Sequence, residues 1–280
     1  MKRCRRFSIA GLAVLALVTA VHAGDASRME AMRAVHARFK GKAGTFAQFG
    51  DSLTDSLAYW TPILYDPKGL NPEMTRAREL VLAHMRRECW RDWKGADYGN
   101  KSSTTIDWAD ENVDAWLKKL NPEVVSILFG TNDMRTGNAA DFETKLRSVA
   151  QKCLDNGTVV ILTTPPPRSG MLEKSKEFAD SVRRVGADLK VPVIDYQAEI
   201  LKRRPDDWDG SAAEFKEAVK EDAYQAPTLI AGDGVHPSNP SKYADWSEEG
   251  LNHNGYTLRN YLALMKYAEV IKDVIKAEKK

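Results

Sequence analysis

The fold is decided by the stretch Phe46-Ala47-Gln48-Phe49-Gly50-Asp51-Ser52-Leu53, in which a short apolar run stops at a glycine and residues able to turn the chain follow. In an α/β protein this pattern is typical of a buried strand that ends at the carboxyl edge of the sheet, where functional loops begin. Ser52 is therefore a candidate nucleophile, because its hydroxyl would be exposed above a rigid scaffold. The alternative interpretation is an ordinary serine that caps the next helix.

Strand and helix patterns alternate along most of the chain. Apolar runs predict strands at 45–49, 124–129, 158–162 and 191–194, with a further short strand at 96–98. Helical periodicity is found between these runs and again from about residue 256, whereas residues 203–254 are less regular. Parallel strands need crossover connections, so this alternation predicts a parallel sheet with helices on both sides.

The amino terminus is typical of an export signal. A basic start, Met1-Lys2-Arg3-Cys4-Arg5-Arg6, precedes an apolar stretch from Ile9 to Val21 that is too short to span a bilayer comfortably. Small residues then allow cleavage after Ala23. We therefore expect residues 1–23 to be a signal peptide, residues 24–280 to form a single domain, and the mature protein to be secreted or periplasmic.

Charge and composition limit the possible partners. Removing residues 1–23 takes away four positive charges and no negative ones, so the formal net charge changes from +2 to −2. Nothing then indicates binding to nucleic acid or to an anionic membrane surface, and the absence of a second apolar segment of membrane length predicts no membrane insertion after cleavage. Cys89 and Cys153 remain; export permits a disulfide, but a buried free thiol is an equally good interpretation. The oligomeric state cannot be read from the sequence.

Two later segments supply partners for a serine nucleophile. Asp233 and His236 lie three residues apart in a turn bounded by glycine and proline. The carboxylate can accept one imidazole N–H and leave the other nitrogen free as a base, which is what a serine nucleophile requires. Asn132 follows the strand at 124–129 and offers an amide donor for the oxyanion that forms when the serine attacks an acyl carbon.

Three segments together resemble the signature blocks of the GDSL, or SGNH, hydrolases. They are Gly50-Asp51-Ser52-Leu53, Gly130-Thr131-Asn132-Asp133 and Asp233-Gly234-Val235-His236-Pro237. The resemblance spans residues 45 to about 275 and implies a three-layer α/β/α sandwich with a parallel, flavodoxin-like sheet. It also implies that Ser52 is the nucleophile, His236 the general base and acid, Asp233 the carboxylate that orients it, and Asn132 part of the oxyanion hole with the Ser52 N–H. No metal or cofactor is implied, and no metal-ligand spacing is present.

One block departs from the family pattern Asn-x-Gly-x-x-Gly-x-Thr. The chain reads Asp97-Tyr98-Gly99-Asn100-Lys101-Ser102-Ser103-Thr104, so that Gly99 matches the first glycine and Ser102 stands at the place of the second. A backbone N–H does not need glycine, and the further oxyanion donor is expected at Ser102 or Gly99. The pentapeptide Gly-x-Ser-x-Gly is absent around Ser52, which argues against the common α/β-hydrolase fold.

The sequence leaves the ester substrate open. Trp60, Tyr243 and Trp246 could stack on sugar rings near the site, which favours deacylation of a carbohydrate such as an acetylated polysaccharide; packing of loops is an equally good interpretation. The alternatives are a lipid esterase, lysophospholipase or thioesterase, which a continuous apolar trench beside Ser52 would favour. A non-catalytic glycan-binding protein is disfavoured by the intact Ser52, Asp233 and His236. The partner expected in every enzymatic case is a small-molecule or polysaccharide ester.

Overall fold

The computed structural model describes residues 27–277, which form a parallel sheet covered by helices. The strands are β1 (Phe46–Gly50), β2 (Val124–Leu128), β3 (Val159–Thr163) and β4 (Val193–Ile194). They lie side by side in chain order and all neighbours are parallel, with Phe46 opposite Val124 and Val124 opposite Val159. Every residue of β1, β2 and β3 is buried, as expected for strands that are covered on both faces.

The helices separate into two sets. In chain order the helices are α1 (27–36), α2 (Ser52–Asp55), α3 (Pro72–His84), α4 (Glu88–Arg91), α5 (Ile106–Leu120), α6 (Asp133–Thr136), α7 (Ala139–Asp155), α8 (Leu172–Asp188), α9 (Tyr196–Arg203), α10 (Glu248–His253) and α11 (Gly255–Val270). One set is α5, α7 and α8, which pack in succession, and the other contains α3, α9 and α11.

Strand β1 shows that the two sets lie on opposite faces of the sheet. Phe46 and Phe49 are an odd number of residues apart, so their side chains point to opposite faces. The Phe46 ring stacks on Tyr267 of α11, with 4.4 Å between ring centroids, whereas the Phe49 ring lies 4.9 Å from Trp116 of α5. The three-layer α/β/α prediction is therefore confirmed.

The short strand predicted at 96–98 is wrong. Ala96–Tyr98 forms a 3₁₀ turn, because Gly95 and Gly99 adopt left-handed φ angles of 97° and 86° that close it at both ends. The following residues pair with the free edge of β1 by an isolated parallel bridge between Asn100 and Gly50. The Asn100 side-chain amide donates to the Gln48 carbonyl at 3.0 Å. A side chain therefore bonds a backbone group at this edge that a further strand would bond in a flavodoxin-like sheet.

The predicted irregular segment is present and ends in the closing helix. Residues 203–254 contain short 3₁₀ turns (Ala213–Phe215, Ala223–Gln225 and Ser241–Tyr243) and α10. Within this segment, Ile230 forms isolated β-bridges to Asp209 and to Pro237. α11 continues into a π-helical turn at Ile271–Ile275. Both cysteines of the described chain, Cys89 and Cys153, are buried free thiols, and burial raises the pKa of Cys89 to about 12.

The predicted signal peptide, residues 1–23, lies outside the described residues. Within 27–277, we find no helix whose length and apolar character would allow it to cross a membrane.

Candidate active site

The nucleophile candidate lies at the first residue of α2, directly after β1. Asp51 is the N-cap of this helix, and its Oδ1 accepts a hydrogen bond from the Leu53 N–H at 3.0 Å. Asp51 is fully buried, and burial raises the pKa of its carboxyl to about 7. The cap fixes the turn in which the Ser52 side chain remains partly exposed beyond the carboxyl end of the sheet.

Two basic side chains, the buried Arg259 and the partly buried Lys94, contact α2. Arg259 of α11 donates from Nη1 to the Leu53 carbonyl at 2.5 Å and from Nη2 to Thr54 Oγ1 at 2.9 Å, and its guanidinium lies 3.6 Å from the centroid of the Tyr59 ring. Lys94 donates to the Thr54 carbonyl, and burial followed by repulsion from Arg259 lowers the pKa of Lys94 to about 7. These contacts lock the short helix that carries Ser52, and sequence reasoning did not find them.

The turn at 233–236 positions His236, the candidate base. Asp233 Oδ1 accepts hydrogen bonds from the N–H groups of Val235 and His236, at 2.9 and 3.0 Å. The Ala231 N–H donates to the His236 carbonyl at 2.7 Å and closes the turn from outside. Burial opposes ionisation of Asp233, but its hydrogen bonds with His236 and the two N–H groups lower the pKa of this carboxyl below its ordinary value.

The three predicted residues lie in one chain of hydrogen bonds. His236 Nδ1 lies 2.6 Å from Asp233 Oδ2, and His236 Nε2 lies 2.9 Å from Ser52 Oγ. If the Nδ1 proton is donated to the carboxylate, Nε2 is free to accept the serine proton. This geometry can raise the nucleophilicity of the Ser52 hydroxyl.

Asn132 lies beside this chain of hydrogen bonds, at the end of β2. Its Nδ2 donates to the Thr104 carbonyl at 2.9 Å, which uses one amide hydrogen and leaves the second for another acceptor. The next residue, Asp133, accepts from the N–H groups of Ile106 and Gly130, at 2.8 and 3.0 Å. Asp133 therefore ties the loop after β2 to the start of α5 and fixes the position of Asn132.

Ser102 and Gly99 are placed differently. Ser102 lines the same cavity as Ser52 and Asn132, and its Oγ donates to Asp55 Oδ2 at 3.0 Å. Gly99 is buried away from the cavity, and its N–H donates to the Ala96 carbonyl at 3.2 Å, so the suggestion that Gly99 supplies an oxyanion donor is wrong. A Cβ at Gly99 would lie 2.2 Å from the Phe49 ring, so this glycine allows a close approach to β1 instead.

The cavity around Ser52 has a volume of about 510 Å³ and is mostly polar. Sequence reasoning missed several of its lining residues, among them Arg135, Arg168, Tyr224 and Tyr256. Tyr224 is 36% exposed, and its ring centroid lies 5.9 Å from that of His236. These residues come from α6, the loop after β3, a 3₁₀ turn and α11, and no spacing in the sequence links them to Ser52.

Other residues considered from the sequence lie outside this cavity. The Trp60 side chain is 0% exposed and that of Trp246 is 2% exposed, so both pack in the core and cannot stack on a sugar ring. Tyr243 stacks on His253 at 4.5 Å between ring centroids, away from the residues that line the cavity.

No metal centre can be assigned in the described part of the chain. Residues 27–277 contain no group of three or more histidine, cysteine, aspartate or glutamate side chains placed to hold an ion.

The family model of the GDSL-like lipases and acylhydrolases matches residues 49–240. This match covers more than half of the chain and includes all three signature blocks. The chain therefore belongs to the GDSL-like lipase/acylhydrolase family, a class of enzymes that hydrolyse ester bonds.

Solved structures with a related fold are distant in sequence. A lipase/acylhydrolase from Enterococcus faecalis is 18% identical, with a TM-score of 0.48 over 80% of this chain and 94% of that one. A GDSL-like lipase from Bacteroides thetaiotaomicron is 18% identical (TM-score 0.47; 82% and 88% covered), and a catalytic mutant of an acetylxylan esterase from Geobacillus stearothermophilus is 16% identical (0.45; 84% and 96%). No curated protein matches the sequence.

Proposed function

We propose that this chain is a serine esterase that forms an acyl-enzyme on Ser52, with His236 as base and acid and Asp233 as the orienting carboxylate. The observation that carries the proposal is the unbroken contact from Ser52 Oγ through the imidazole to Asp233, with steps of 2.9 and 2.6 Å. His236 Nε2 takes the Ser52 proton as Oγ attacks the acyl carbon, and then gives that proton to the leaving alcohol. Water then attacks the acyl-enzyme. His236 Nε2 takes a proton from this water and returns it to Ser52 Oγ as the free acid leaves.

The oxyanion of the tetrahedral intermediate is proposed to accept hydrogen bonds from three donors. They are the N–H groups of Ser52 and Ser102 and the Nδ2 amide of Asn132. Among the described residues, no backbone or side-chain acceptor is bonded to either N–H, and Asn132 has one amide hydrogen to spare. Ser102 keeps a negative φ, since the left-handed residue of this loop is Ser103 at 64°. Serine can therefore take the place of the family's glycine without strain.

The preferred substrate is an acetylated carbohydrate. Hydroxyl, amide and guanidinium groups dominate the lining of the catalytic cavity, and Val235 is its aliphatic member. Such a surface suits a hydrated sugar better than an acyl chain, because buried polar groups that face an apolar ligand lose their hydrogen bonds. Tyr224 is the exposed aromatic ring on which a sugar could stack.

A lipid or long-chain ester is the second candidate. An apolar cavity of about 430 Å³ lies next to the catalytic one, and Tyr256 lines both. Leu57, Tyr65 and Pro62 are among its walls. If the two cavities join when Tyr256 moves, an acyl chain could extend from Ser52 into the apolar space.

The test is a series of 4-nitrophenyl esters of increasing acyl length, assayed beside acetylated xylan and pectin. We expect the acetyl ester to have the highest kcat/KM and the polysaccharides to be deacetylated. Ala244 lines the apolar cavity, so Ala244→Trp should fill that cavity and serves as the variant for comparison with the wild type. A preference for decanoyl over acetyl ester that Ala244→Trp abolishes would select the lipid function, and no hydrolysis of any ester would reject the esterase.

We further propose that the enzyme acts outside the cytoplasm after removal of residues 1–23. The expected mature chain begins at Gly24, which intact-mass analysis of protein exported by a bacterial host would detect. Protein retained in the cytoplasm with its first 23 residues in place would contradict export.

A further inference from the structure

Two arginines face the catalytic cavity from different elements. Arg135 belongs to α6, and Arg168 lies in the loop after β3, where its Nη1 donates to the Thr131 carbonyl at 2.9 Å. Among residues 27–277, no carboxylate lies within ion-pair distance of either guanidinium. The nearby acids are engaged elsewhere, since Asp55 accepts from Ser102 and Asp233 from His236.

Both guanidinium groups line the same cavity, and like charges there repel each other. Burial lowers the pKa of Arg168, and the charge of Arg135 lowers it further, whereas Asp233 opposes both effects. Two like charges that face one cavity, neither of them in an ion pair with Asp55 or Asp233, favour an anionic ligand. A guanidinium also matches a carboxylate geometrically, because its parallel N–H groups can bind both oxygens.

We propose that Arg135 and Arg168 form a carboxylate-binding subsite, and that the enzyme therefore prefers acyl esters that carry a carboxylate near the ester bond, such as an acylated uronic acid. This inference rests on the proposed esterase function and specifies its substrate class. The cavity volume of about 510 Å³ is sufficient for one sugar unit with its ester, and the polar lining fits an acidic sugar. The arginines would hold the carboxylate while Ser52 attacks the ester.

The test compares 4-acetoxybenzoate with its neutral methyl ester. We expect the wild-type enzyme to prefer the carboxylate by about 10- to 100-fold in kcat/KM, the usual effect of one or two hydrogen bonds to a charged group. Arg135→Gln and Arg168→Gln should each reduce this preference by about 3- to 10-fold, and the double variant should remove it. Arg76→Gln is the matched control, because Arg76 is exposed and lines a different cavity that shares no residue with the catalytic one.

Three outcomes overturn the inference. The first is equal kcat/KM for both esters in the wild type. The second is a proportional loss for both esters in the arginine variants, which would assign the arginines to support of Asp233 or the oxyanion. The third is a larger gain for 4-acetoxyphenyl phosphate than for the carboxylate, which would indicate a phosphate-bearing substrate instead.

A binding measurement tests the carboxylate subsite independently of the esterase proposal. Calorimetric titration of Ser52→Ala protein with 4-acetoxybenzoate needs no turnover. We expect binding that weakens with salt and falls by about tenfold or more when both arginines are glutamine. Equal affinity for the methyl ester would overturn the subsite even if the enzyme is active. Conversely, failure of the wild type to hydrolyse either ester would reject the esterase and leave the binding result to decide the subsite.

Discussion

Within residues 27–277, two histidine–carboxylate sites have similar chemistry and different surroundings. In the first, His236 contacts Asp233 through Nδ1 and Ser52 through Nε2, and its side chain is 23% exposed at the cavity. In the second, His36 and His84 both direct Nε2 at one carboxylate, Glu123, at 2.9 and 2.8 Å. Glu123 is buried and also accepts from the Gly44 N–H.

The two sites differ in the group that each imidazole contacts besides its carboxylate. His236 connects a carboxylate to a hydroxyl that faces solvent, so its Nε2 can take the hydroxyl proton and give it to a leaving group while the carboxylate stays ionised. His36 and His84 meet no hydroxyl nucleophile in the described structure, and they join α1 and α3 to the start of β2. The same pair of groups can therefore serve catalysis at one place and stability at the other.

The largest effect on activity is expected from removing the Ser52 hydroxyl of the first site. Ser52→Ala should lower kcat by about 10⁴- to 10⁶-fold, because the acyl-enzyme cannot form. His236→Ala should have a similar effect, and the double variant should be little worse than either single one. Kinetics on 4-nitrophenyl acetate, with circular dichroism to confirm folding, checks this result. Multiplicative losses in the double variant would show that Ser52 and His236 do not share a step.

Neutralising the carboxylate in each site compares them directly. Asp233→Asn should lower kcat by about 10⁴-fold, because the amide no longer holds the imidazole in the required tautomer. Glu123→Gln should change kcat by less than about threefold, since Glu123 contacts neither Ser52 nor His236. Measuring kcat of both variants in the same assay checks this prediction. A comparable loss in Glu123→Gln would mean that the second site also supports catalysis.

Asn132 tests the oxyanion part of the first site. Asn132→Ala should lower kcat by about 100- to 1,000-fold with little change in KM, because the donor is needed when the oxyanion forms. Asn132→Asp should be at least as harmful, since a negative charge would face the oxyanion. If Asn132→Ala instead raised KM and preserved kcat, Asn132 would be a residue that binds the ground-state substrate.

The smallest effect on activity is expected for the second site, where pH should reveal a change in stability. Burial opposes ionisation of Glu123, but hydrogen bonds from His36, His84 and the Gly44 N–H lower its pKa to about 2, from an ordinary value of 4.5. A lowered carboxyl pKa stabilises the folded state above pH 4.5, and this contribution is lost as the pH falls towards 2.

The wild type should therefore exceed Glu123→Gln in unfolding free energy by about 1–3 kcal/mol at pH 7 and by less at pH 3. Urea denaturation at both values measures the gap. A gap that does not change with pH would show that ionisation of Glu123 contributes nothing to stability.

The sequence predicted the sheet because buried parallel strands leave a strong local pattern. The apolar runs at 45–49 and 158–162 differ from β1 and β3 by only one residue at each end. The error at Ala96–Tyr98 arose because the conformations of Gly95 and Gly99, which close a turn there, are not visible in an apolar pattern. The position of His84 on an apolar helix stripe predicts a packed, hydrogen-bonded histidine, and its contact with Glu123 confirms this.

The site was predictable only where its residues follow strands or share a turn. Ser52 and Asn132 follow β1 and β2, whose carboxyl ends meet at one edge, and Asp233 and His236 lie in one turn. Arg168 and Arg259 were not predictable, because a long-range hydrogen bond places each of them: Arg168 to Thr131, and Arg259 to Leu53. Such contacts depend on how loops and α11 pack and leave no periodic signal.

Covalent labelling tests the central claim most directly. A fluorophosphonate ester should react with the wild-type enzyme in a 1:1 ratio, and mass spectrometry of the digested protein should place the adduct on the Ser52 hydroxyl. Ser52→Ala should remain unlabelled and His236→Ala should react far more slowly, whereas Glu123→Gln should label like the wild type. An adduct on another residue, or an unlabelled enzyme that still hydrolyses esters, would contradict the assignment of Ser52 as the nucleophile.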